Sequence, residues 1–448
     1  MALWITSGKG EEKGNIFLVN PSEWLTCVPK PERWAEARRI SLMYNRISKL
    51  PKKPRCRNLQ TLLLNDNDNN FHPEEIRLKF PLGFFQFMRR LRVLDLSYRS
   101  IRLLPSGIGS LVELRFLDLS GTLLESLPME VGRLTKLRQL RLEHVSYLTS
   151  IPREAVLSLK GLQSLNLLES DYVFTGDWED DGSDSGSAHD EGQLSLRDLE
   201  GMGQLTELGV SIRGMTQRGM EDLQKSHRLC ASIRFLSLEY VGISSFDLSA
   251  FLEVMKGLRK LTINFSPDLE DLVFNKNQLS ELEELSLFNL SRATVHWKDG
   301  NVFVTGPTTA GIFKTFGQLP CIEKLTLFGC SRIEEVIVVE EVTVDNVDYE
   351  NDSFFPKLKR IWLEDLPNLR SICRHPLLLP SLEEVHVINC PELKKLPFGF
   401  STAKNIKEIY GGQEWWDGLE WEHEDVRSMF TPFFPPLNSK GVFEPYSL

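Results

Sequence analysis

The chain has 448 residues, of which 41% are hydrophobic and 25% charged, and it carries a formal net charge of -10. This composition excludes a mainly disordered protein, and the negative charge disfavours a general nucleic-acid binder. Its apolar stretches are too short for a membrane span or a signal-peptide core, so we expect a soluble, non-secreted protein without a transmembrane span. Seven scattered cysteines favour a reducing compartment over a disulfide framework.

Charge is distributed unevenly along the chain. Residues 30–57 contain ten Lys or Arg and two acids, whereas residues 177–191 contain seven acids and residues 334–352 contain eight, both without a Lys or Arg. Such an uneven distribution of charge is more typical of separate surfaces for different protein partners than of a site that binds nucleic-acid phosphates. The segment 177–191 is also rich in Gly and Ser, which predicts a disordered loop, either solvated or a docking segment for a basic partner.

A leucine-spaced unit recurs through most of the chain, and 70 of its residues are Leu. Leu91–Leu96, Leu114–Leu119 and Leu137–Leu142 align at a spacing of 23 residues in the pattern LxxLxL, which is the leucine-rich-repeat unit. The first two units continue to a Leu-Pro pair and then to an Ile-Gly or Val-Gly step. The same frame recurs at units that begin near Ile40, Leu62, Leu162, Leu205, Ile233, Leu258, Leu282, Ile322, Leu358, Leu382 and Ile406.

This frame predicts about fourteen coils. The LxL part alternates as a short strand does, so its leucines point inward and the residues between them point outward. One coil cannot bury its leucines alone, whereas stacked coils share one core and pair their strands in parallel. The predicted fold is therefore an α/β solenoid, an irregular leucine-rich-repeat horseshoe with a parallel sheet on its concave side.

The ninth position of each unit and the gaps between units predict the irregularity. A small polar side chain at the ninth position can bond to a neighbouring coil's backbone. Such side chains stand at Asn45, Asn67, Thr122, Cys330 and Cys390. Arg99 and Val145 depart from this pattern. Long gaps in the frame predict insertions at about residues 70–83, 171–195, 291–312 and 339–353.

No motif for catalysis or nucleotide binding is present in the sequence. It contains no GxxxxGK[ST], GxSxG or HExxH, so we expect a protein that is not an enzyme and has no cofactor of its own. Cys373, His375, His386 and Cys390 are ligand types for zinc, but the repeat frame separates them. We therefore expect no metal site there, only a buried cysteine and a surface histidine.

The repeats divide the chain into segments, and a tryptophan-rich end follows the last of them. We expect Trp415, Trp416 and Trp421 to cover the open end of the core. The predicted segments are basic repeats at 37–170, an acidic disordered insertion at 171–195, irregular repeats with acidic insertions at 196–412, and a Trp-rich cap and tail at 413–448.

Residues that point outward from the concave sheet are the candidate partner-binding residues, because they vary without disturbing the buried leucines. They are Arg92, Asp95, Arg115, Phe116, Asp118, Arg138, Arg141, Phe328, Lys359, Trp362, His386 and Tyr410. The aromatic members are of the type that dominates interface energetics. The prediction concerns the face as a whole, because any single residue on it could equally be an ordinary surface residue without a binding role.

Three segments have a distinctive residue pattern. They are the stretch Trp34–Asn45, the Leu-Pro closures, and the ending Gly411–Trp421 with its Trp-Trp pair. Together they resemble plant disease-resistance proteins of the coiled-coil, nucleotide-binding, leucine-rich-repeat class. In that class the repeats restrain a nucleotide-binding switch and help to sense pathogen effectors. The resemblance implies a regulatory, protein-binding module of innate immunity. Its implied partners are a pathogen effector or a guarded host protein, and a nucleotide-binding domain in cis or in trans.

The resemblance covers the repeats without the coiled-coil and nucleotide-binding domains. Residues 1–36 resemble the end of the family's switch domain followed by a cap, so ADP or ATP binding would belong to an upstream domain. The resemblance also implies that the basic early coils dock on the family's switch domain. The docking candidates are Arg38, Arg39, Arg89 and Arg90, with Arg92 and Arg115 beside them. The implied location is the cytoplasm, with the nucleus and the plasma-membrane surface as alternatives.

Two other interpretations are open. An intracellular leucine-rich-repeat signalling scaffold shares the Leu-Pro and Ile-Gly features of the middle repeats, although the irregular later repeats and the Trp-Trp ending argue against it. A substrate-recognition subunit in ubiquitin transfer normally needs an adaptor-binding domain, and no such domain is evident before Ala37.

Overall fold

The computed structural model describes residues 17–19, 25, 28, 31–65, 78–175, 192–242, 245–247, 253–275, 281–299, 302–303, 311–314, 320–338, 355–373, 378–398, 402–421 and 423–434. The chain divides into two compact units. Unit 1 comprises Met1–Phe174 and Trp178–Ser211, and unit 2 comprises Thr175–Asp177 and Ile212–Leu448.

Unit 1 is built on a ladder of short parallel strands. The strands are β1 (Phe17–Val19), β2 (Arg39–Ser41), β3 (Thr61–Leu63), β4 (Val93–Asp95), β5 (Phe116–Asp118), β6 (Gln139–Arg141), β7 (Ser164–Asn166), β8 (Phe174–Thr175) and β9 (Glu207–Arg213), and the boundary between the units falls within β8 and β9. From β1 to β7 each strand pairs in parallel with the next, and β7 pairs with β9. The register sets Leu94, Leu117 and Leu140 side by side, fully buried. The leucines of successive coils therefore form one continuous core.

Short helices connect the strands of unit 1, and the Leu-Pro closures precede two of them, η1 (Ser106–Ser110) and η2 (Met129–Arg133). Further helices of this unit are α1 (Pro31–Glu36), α2 (Arg153–Leu157) and α3 (Leu196–Glu200). Pro105, Pro128 and Pro152 are the N-cap residues of η1, η2 and α2, and each has an extended backbone. Proline fits there because its fixed φ and missing N–H suit the first turn of a helix.

The glycine of the Ile-Gly step lies against the next coil. A Cβ atom on Gly109 would lie 2.9 Å from the carbonyl oxygen of Glu130, which is closer than real Cβ contacts allow. The equivalent atom on Gly132 would lie 3.1 Å from the carbonyl oxygen of Ala155. The step is thus explained by the close approach of successive coils, which only glycine permits.

Unit 2 has longer strands. They are β10 (Ile233–Glu239), β11 (Ser245–Asp247), β12 (Lys260–Asn264), β13 (Asp271–Asn275), β14 (Glu284–Phe288), β15 (Thr294–Asp299), β16 (Val302–Phe303), β17 (Gly311–Lys314), β18 (Lys324–Phe328), β19 (Glu335–Val338), β20 (Arg360–Glu364), β21 (Ser371–Cys373), β22 (Glu384–Ile388) and β23 (Glu408–Gly411). The main ladder runs in parallel through β10, β12, β14, β18, β20, β22 and β23. A second sheet contains β11, β13, β15 and β16, and a third contains β17, β19 and β21.

Two predicted insertions contribute described structure. In the range 291–312, β15 pairs in parallel with β13, and β17, which begins there, pairs in parallel with β19, so these residues form sheet instead of a bare insertion. At the ends of the range 171–195, Tyr172 is buried and its hydroxyl donates to the carbonyl oxygen of Leu194 at 2.6 Å. Residues 177–191 and 339–353 lie outside the described residues. Of the range 70–83, residues 78–83 are described, and Leu78 is buried.

The side chain at the ninth position of a repeat makes different hydrogen bonds in different coils. The amide of Asn45 accepts from the N–H of Leu25 at 2.9 Å, and the hydroxyl of Thr122 donates to Leu119 of its own coil at 2.7 Å. Cys330 lies 3.6 Å from the carbonyl oxygen of Leu287, in the neighbouring coil. Arg99 departs in a specific way: its buried guanidinium donates to the carbonyl oxygen of Asn45 at 2.7 Å and also to that of Ile47. Val145 is buried, and Asn67 lies outside the described residues.

Aromatic side chains pack against the last coil of unit 2. The helices of this unit are α4 (Gln217–Lys225), α5 (His227–Ser232), η3 (Thr402–Lys404), α6 (Gln413–Asp417), α7 (Glu424–Phe430) and η4 (Thr431–Phe433). The ring of Trp416 stacks on Phe434 at 4.4 Å, and Trp421 stacks on Phe430 at 6.0 Å. The indole N–H of Trp415 donates to the carbonyl oxygen of Leu393 at 3.1 Å. The tryptophans therefore lie on the end of the leucine core, where the cap is predicted.

Every predicted repeat unit contains a described strand of one of the two main ladders, from Ile40 in β2 to Ile409 in β23. The inward residues of these strands are buried leucines, isoleucines and valines. The prediction of an α/β leucine-rich-repeat solenoid with a parallel sheet is confirmed.

Candidate protein-binding surface

In each unit the ladder strands present a sheet face, which consists of the side chains that alternate with the buried leucines. In unit 1 it includes Phe116, Asp118 and Arg141, which lie on neighbouring strands with Asp118 paired to Arg141. The guanidinium of Arg141 lies 5.5 Å from the ring centre of Phe116 and 3.8 Å from the carboxylate of Asp118. The residues predicted on this face are thus in mutual contact.

The two aspartates of this face have a local structural role. The carboxylate of Asp95 accepts from the N–H and the hydroxyl of Ser97, at 3.0 and 2.7 Å, and Asp118 accepts from the N–H of Ser120 at 3.0 Å. Burial raises the pKa of Asp95, and repulsion by Asp118 adds to the rise while the Ser97 bonds oppose it. Asp118 is buried, with 8% exposed, so its expected availability to a partner is wrong. Both side chains hold the turn that leaves the strand.

The residue directly before each ladder strand forms a second line, which we call the pre-strand row. Its carbonyl oxygen accepts two N–H bonds from the next coil; for Arg115 the donors are Arg138 at 2.9 Å and Gln139 at 3.0 Å. In unit 1 the residues whose carbonyl oxygens accept such a pair of bonds are Arg38, Gln60, Arg92, Arg115, Arg138 and Gln163. Four of the predicted strand residues, Arg92, Arg115, Arg138 and Lys359, therefore lie immediately before strands and not within them.

The arginines of the pre-strand row concentrate positive charge. Adjacent strands lie about 4.8 Å apart, so Arg92, Arg115 and Arg138 follow one another at about that spacing. All three are exposed, and none has an ion-pair partner among the residues that the structure describes. The carboxyl of Glu113 responds to this charge: its bond to Lys136 lowers its pKa, and Arg92 and Arg115 lower it further.

The four arginines predicted to dock on a switch domain lie in two places. Arg38 belongs to the pre-strand row, and Arg39 begins β2 beside it. Arg89 and Arg90 are exposed in the turn that precedes Leu91, and Arg90 donates to the side chain of Asn58 at 3.4 Å. Arg38 is therefore aligned with Arg92 and Arg115, whereas Arg89 and Arg90 lie one turn earlier in their coil.

The sheet face of unit 2 has a row of aromatic rings. Trp362, His386 and Tyr410 occupy partner positions on β20, β22 and β23. The rings of Trp362 and His386 stack at 4.6 Å, and those of His386 and Tyr410 lie 5.6 Å apart. The ring of Phe328 lies on the same face of β18, 6.3 Å from that of Phe288. Each of these side chains is half-buried.

The pre-strand row of unit 2 carries opposite charges in pairs. It contains Arg259, Glu283, Glu323, Lys359, Glu383 and Lys407. The ammonium of Lys359 lies 2.7 Å from Glu323, and that of Lys407 lies 2.7 Å from Glu383. Lys407 lowers the pKa of Glu383, chiefly through their hydrogen bond. Lys359, predicted as a contact residue, is thus engaged within its own row.

The turn after each strand has a feature that the repeat pattern did not predict. In eleven of the units the eighth residue, just before the ninth, has φ between 45° and 64°, in the left-handed region. These residues are Tyr44, Tyr98, Gly121, His144, Glu169, Tyr240, Phe265, Asn289, Gly329, Asp365 and Asn389. Their side chains meet across coils: His144 contacts Glu169 at 3.0 Å, and Asn389 donates to Asp365 at 2.9 Å. The Gly and Asn residues at this position were the available signal, since both types favour this conformation.

Three of the four residues considered for zinc are described, namely Cys373, His386 and Cys390. Cys373 is buried, His386 lies in the aromatic row, and the thiol of Cys390 lies 3.3 Å from the carbonyl oxygen of Ile388. Burial raises the pKa of Cys390 to about 11. His375 lies outside the described residues. Within the described ranges, no group of three or more His, Cys, Asp or Glu side chains is placed to hold a metal ion.

No helix in the described part of the chain combines the length and the apolar character that a membrane crossing needs.

Comparison with known proteins assigns this architecture to a family. Residues 36–429 match the family described as "Leucine-rich repeat region", and the chain belongs to this family. It is 30% identical over 453 residues to the disease resistance protein UNI of Arabidopsis thaliana, covering 97% of this chain and 45% of that protein. A probable disease resistance protein of the same species is 30% identical over 443 residues, covering 96% of this chain and 51% of that protein. The predicted resemblance to plant disease-resistance proteins is confirmed.

The chain spans about half the length of the curated relatives it matches. Among solved structures, it is similar to a leucine-rich-repeat protein of Leptospira interrogans, with a TM-score of 0.43 and 17% identity over 96% of this chain and 97% of that one. The repeat ectodomain of the Arabidopsis thaliana receptor kinase GASSHO1/SCHENGEN3 has a TM-score of 0.38 and 17% identity, covering 86% of this chain and 51% of that one. Both TM-scores are low, so the fold assignment rests on the family match and the strand ladders.

Proposed function

We propose that this chain is the protein-binding and regulatory repeat module of a plant intracellular immune receptor. In this role it senses a pathogen effector or a guarded host protein and restrains a nucleotide-binding switch. The observation that carries the proposal is the similarity to plant disease resistance proteins along 96–97% of the chain. Those proteins are about twice as long, which leaves room in them for a switch domain.

Two surfaces support a division of labour within this role. The sheet face of unit 2 offers half-buried aromatic side chains, which are the common anchors of protein interfaces. The pre-strand row of unit 1 offers exposed arginines that attract an acidic surface. We assign partner sensing to the first surface and contact with the switch domain to the second.

The same proposal covers chemistry and location. The module acts by binding and has no catalytic step of its own. Its sheet faces present side chains for contact, and Cys56, Cys230, Cys330, Cys373 and Cys390 are buried. ADP or ATP belongs to the switch domain and not to this chain. The proposed location is the cytoplasm, with the nucleus and the plasma-membrane surface as alternatives.

Co-expression in leaf cells tests the proposal. The full chain is expressed in trans with a family switch domain that triggers cell death when it lacks its own repeats, and ion leakage is measured. We expect the chain to suppress cell death, and R92E/R115E/R138E to suppress it less because the charge of the docking surface is reversed. The matched control is K160E, which reverses an exposed charge outside the row. Cell death that is unchanged by the wild-type chain would contradict the regulatory role.

A further inference from the structure

The aromatic row of unit 2, formed by Trp362, His386 and Tyr410, is fixed in place by its surroundings. The indole N–H of Trp362 donates to the carboxylate of Glu364 at 2.9 Å, and its ring stacks on His386 with an angle of 16° between the planes. Stacked, half-buried rings lose little further freedom when a partner covers them. The row is therefore a preformed contact surface.

Carboxylates surround this row. Glu364 lies two residues beyond Trp362 on β20, while Glu384 and Glu408 lie two residues before His386 and Tyr410 on β22 and β23. Since side chains two residues apart in a strand share a face, all three carboxylates lie on the same face as the rings.

Little positive charge balances these carboxylates. Arg360 pairs with Glu384 at 2.8 Å, and the nearby Lys359 and Lys407 are held by Glu323 and Glu383. Glu408 has no ion-pair partner among the described residues. The imidazole of His386 does not supply the missing charge, because burial lowers its pKa, as does Arg360, against the opposing effect of Glu408 and Glu384.

Tyr410 is the last ring of the row, and its side chain is half-buried like those of Trp362 and His386. In the described structure, β23 is the last strand of the main ladder, so no further strand lies beside the side of Tyr410 that faces away from His386. The carboxylate of Glu408 stands two residues before this ring on the same strand face. An aromatic ring beside an unpaired carboxylate is the combination that recognises a planar cation, since the ring attracts it by cation–π interaction and the carboxylate accepts its N–H groups.

We propose that Tyr410 and Glu408, with the rest of the aromatic row, bind an arginine side chain of a protein partner. Arginine fits better than lysine because its flat guanidinium stacks on a ring while it donates two bonds to a carboxylate. A nucleic acid does not fit, because the excess of carboxylates repels phosphate. This inference rests on the proposed function, in which the sheet face of unit 2 binds a protein.

Selection from a displayed library of random peptides tests the proposal on the full chain. We expect the enriched peptides to contain arginine next to apolar residues. A synthetic copy of an enriched peptide with citrulline in place of arginine keeps the shape and removes the charge, so its affinity should fall about tenfold. Affinity is measured by fluorescence anisotropy with a labelled peptide.

Variants of the chain locate the site. Tyr410→Leu keeps an apolar side chain without a ring, and Glu408→Gln keeps the shape without the charge; each should weaken the arginine peptide about three- to tenfold. The matched control is Glu284→Gln, because Glu284 occupies the same position on β14 but has Ser286 where β23 has Tyr410. Circular dichroism verifies that each variant is folded.

The outcomes separate this inference from the proposed function. Enrichment of acidic or uncharged peptides, equal binding of the citrulline peptide, or equal effects of E284Q and E408Q would overturn the arginine site. None of these results touches the suppression of cell death by the chain, which decides the proposed function independently.

Discussion

Unit 1 and unit 2 use one backbone feature with opposite patterns of charge. In both, the residue before most ladder strands accepts two N–H bonds from the next coil. In unit 1 this row repeats one sign, at Arg92, Arg115 and Arg138, and none of these three arginines has an ion pair among the described residues. In unit 2 it carries both signs, and its charges form ion pairs between Arg259 and Glu283, Glu323 and Lys359, and Glu383 and Lys407. A row of one sign attracts an oppositely charged surface, whereas a row of ion pairs presents little net charge.

The largest expected effect concerns what the units share, the leucine core. Leu117→Ala in unit 1 and Leu327→Ala in unit 2 should each lower the free energy of unfolding by about 2–5 kcal/mol, because both side chains are fully buried. Urea titration followed by circular dichroism measures the change. Leu103→Ala, at a side chain that is 67% exposed, is the control and should change little. A small effect at only one of the two buried sites would refute the expectation that each unit is built on a leucine core.

The next largest effect is a difference between the two units in how much the ninth residue of a repeat contributes to the free energy of unfolding. Arg99→Met should lower the free energy of unfolding by about 2–4 kcal/mol, because the carbonyl oxygens of Asn45 and Ile47 lose a buried donor. Cys330→Ala in unit 2 should cost only about 1 kcal/mol, since it removes a weakly bonding thiol. The same urea titration compares them. If the two losses were equal, Arg99 would contribute packing alone.

Charge removal in the pre-strand row should have opposite signs in the two units. Arg115→Gln relieves repulsion between like charges and should raise the free energy of unfolding by about a few tenths of a kcal/mol. Glu323→Gln removes the partner of Lys359 and should lower it by a similar amount. Both effects should shrink at high salt, because screening weakens surface electrostatics. Urea titrations at low and high salt measure them, and effects of the same sign would break the comparison.

The smallest effect is a pH dependence in unit 2. The pKa of His386 is lowered by burial, so the folded state disfavours its protonated form. Its contribution to stability is complete above the ordinary histidine pKa of about 6.5 and is lost as the pH falls through the lowered value. His386→Phe should therefore flatten the decline of stability between about pH 7 and pH 5. Thermal unfolding across this range measures the slope, and parallel curves for both proteins would contradict the assignment.

The sequence was sufficient for the ladders because period and register are both fixed by buried side chains. Since Leu363, Val387 and Ile409 must all point inward, Trp362, His386 and Tyr410 must lie on one outward row. The strand pattern could not predict that Asp118 is buried, because that depends on its bond to Ser120 and its contact with Arg141. It also missed β15 and β17, since strands on the other side of the coils do not carry the LxL frame.

Side-chain pairing was the other limit of prediction. The residue spacing predicted an outward position for both Lys359 and Arg115. In the structure Lys359 forms an ion pair with Glu323, whereas Arg115 has no ion-pair partner among the described residues. This difference arises from which residues stand at the same position in the adjacent coils, and it is visible only when the register of the whole ladder is known.

The double hydrogen bond between successive coils is made by backbone atoms alone. A coil therefore recognises its neighbour through groups that every residue possesses, provided that the leucine frame and the closing turns are intact. In genetic terms, an unequal exchange between gene copies at a coil boundary would give a foldable chain with a new combination of outward residues. The coils can therefore be recombined without a change to the buried leucines. Each recombination places a different set of outward residues on the sheet face.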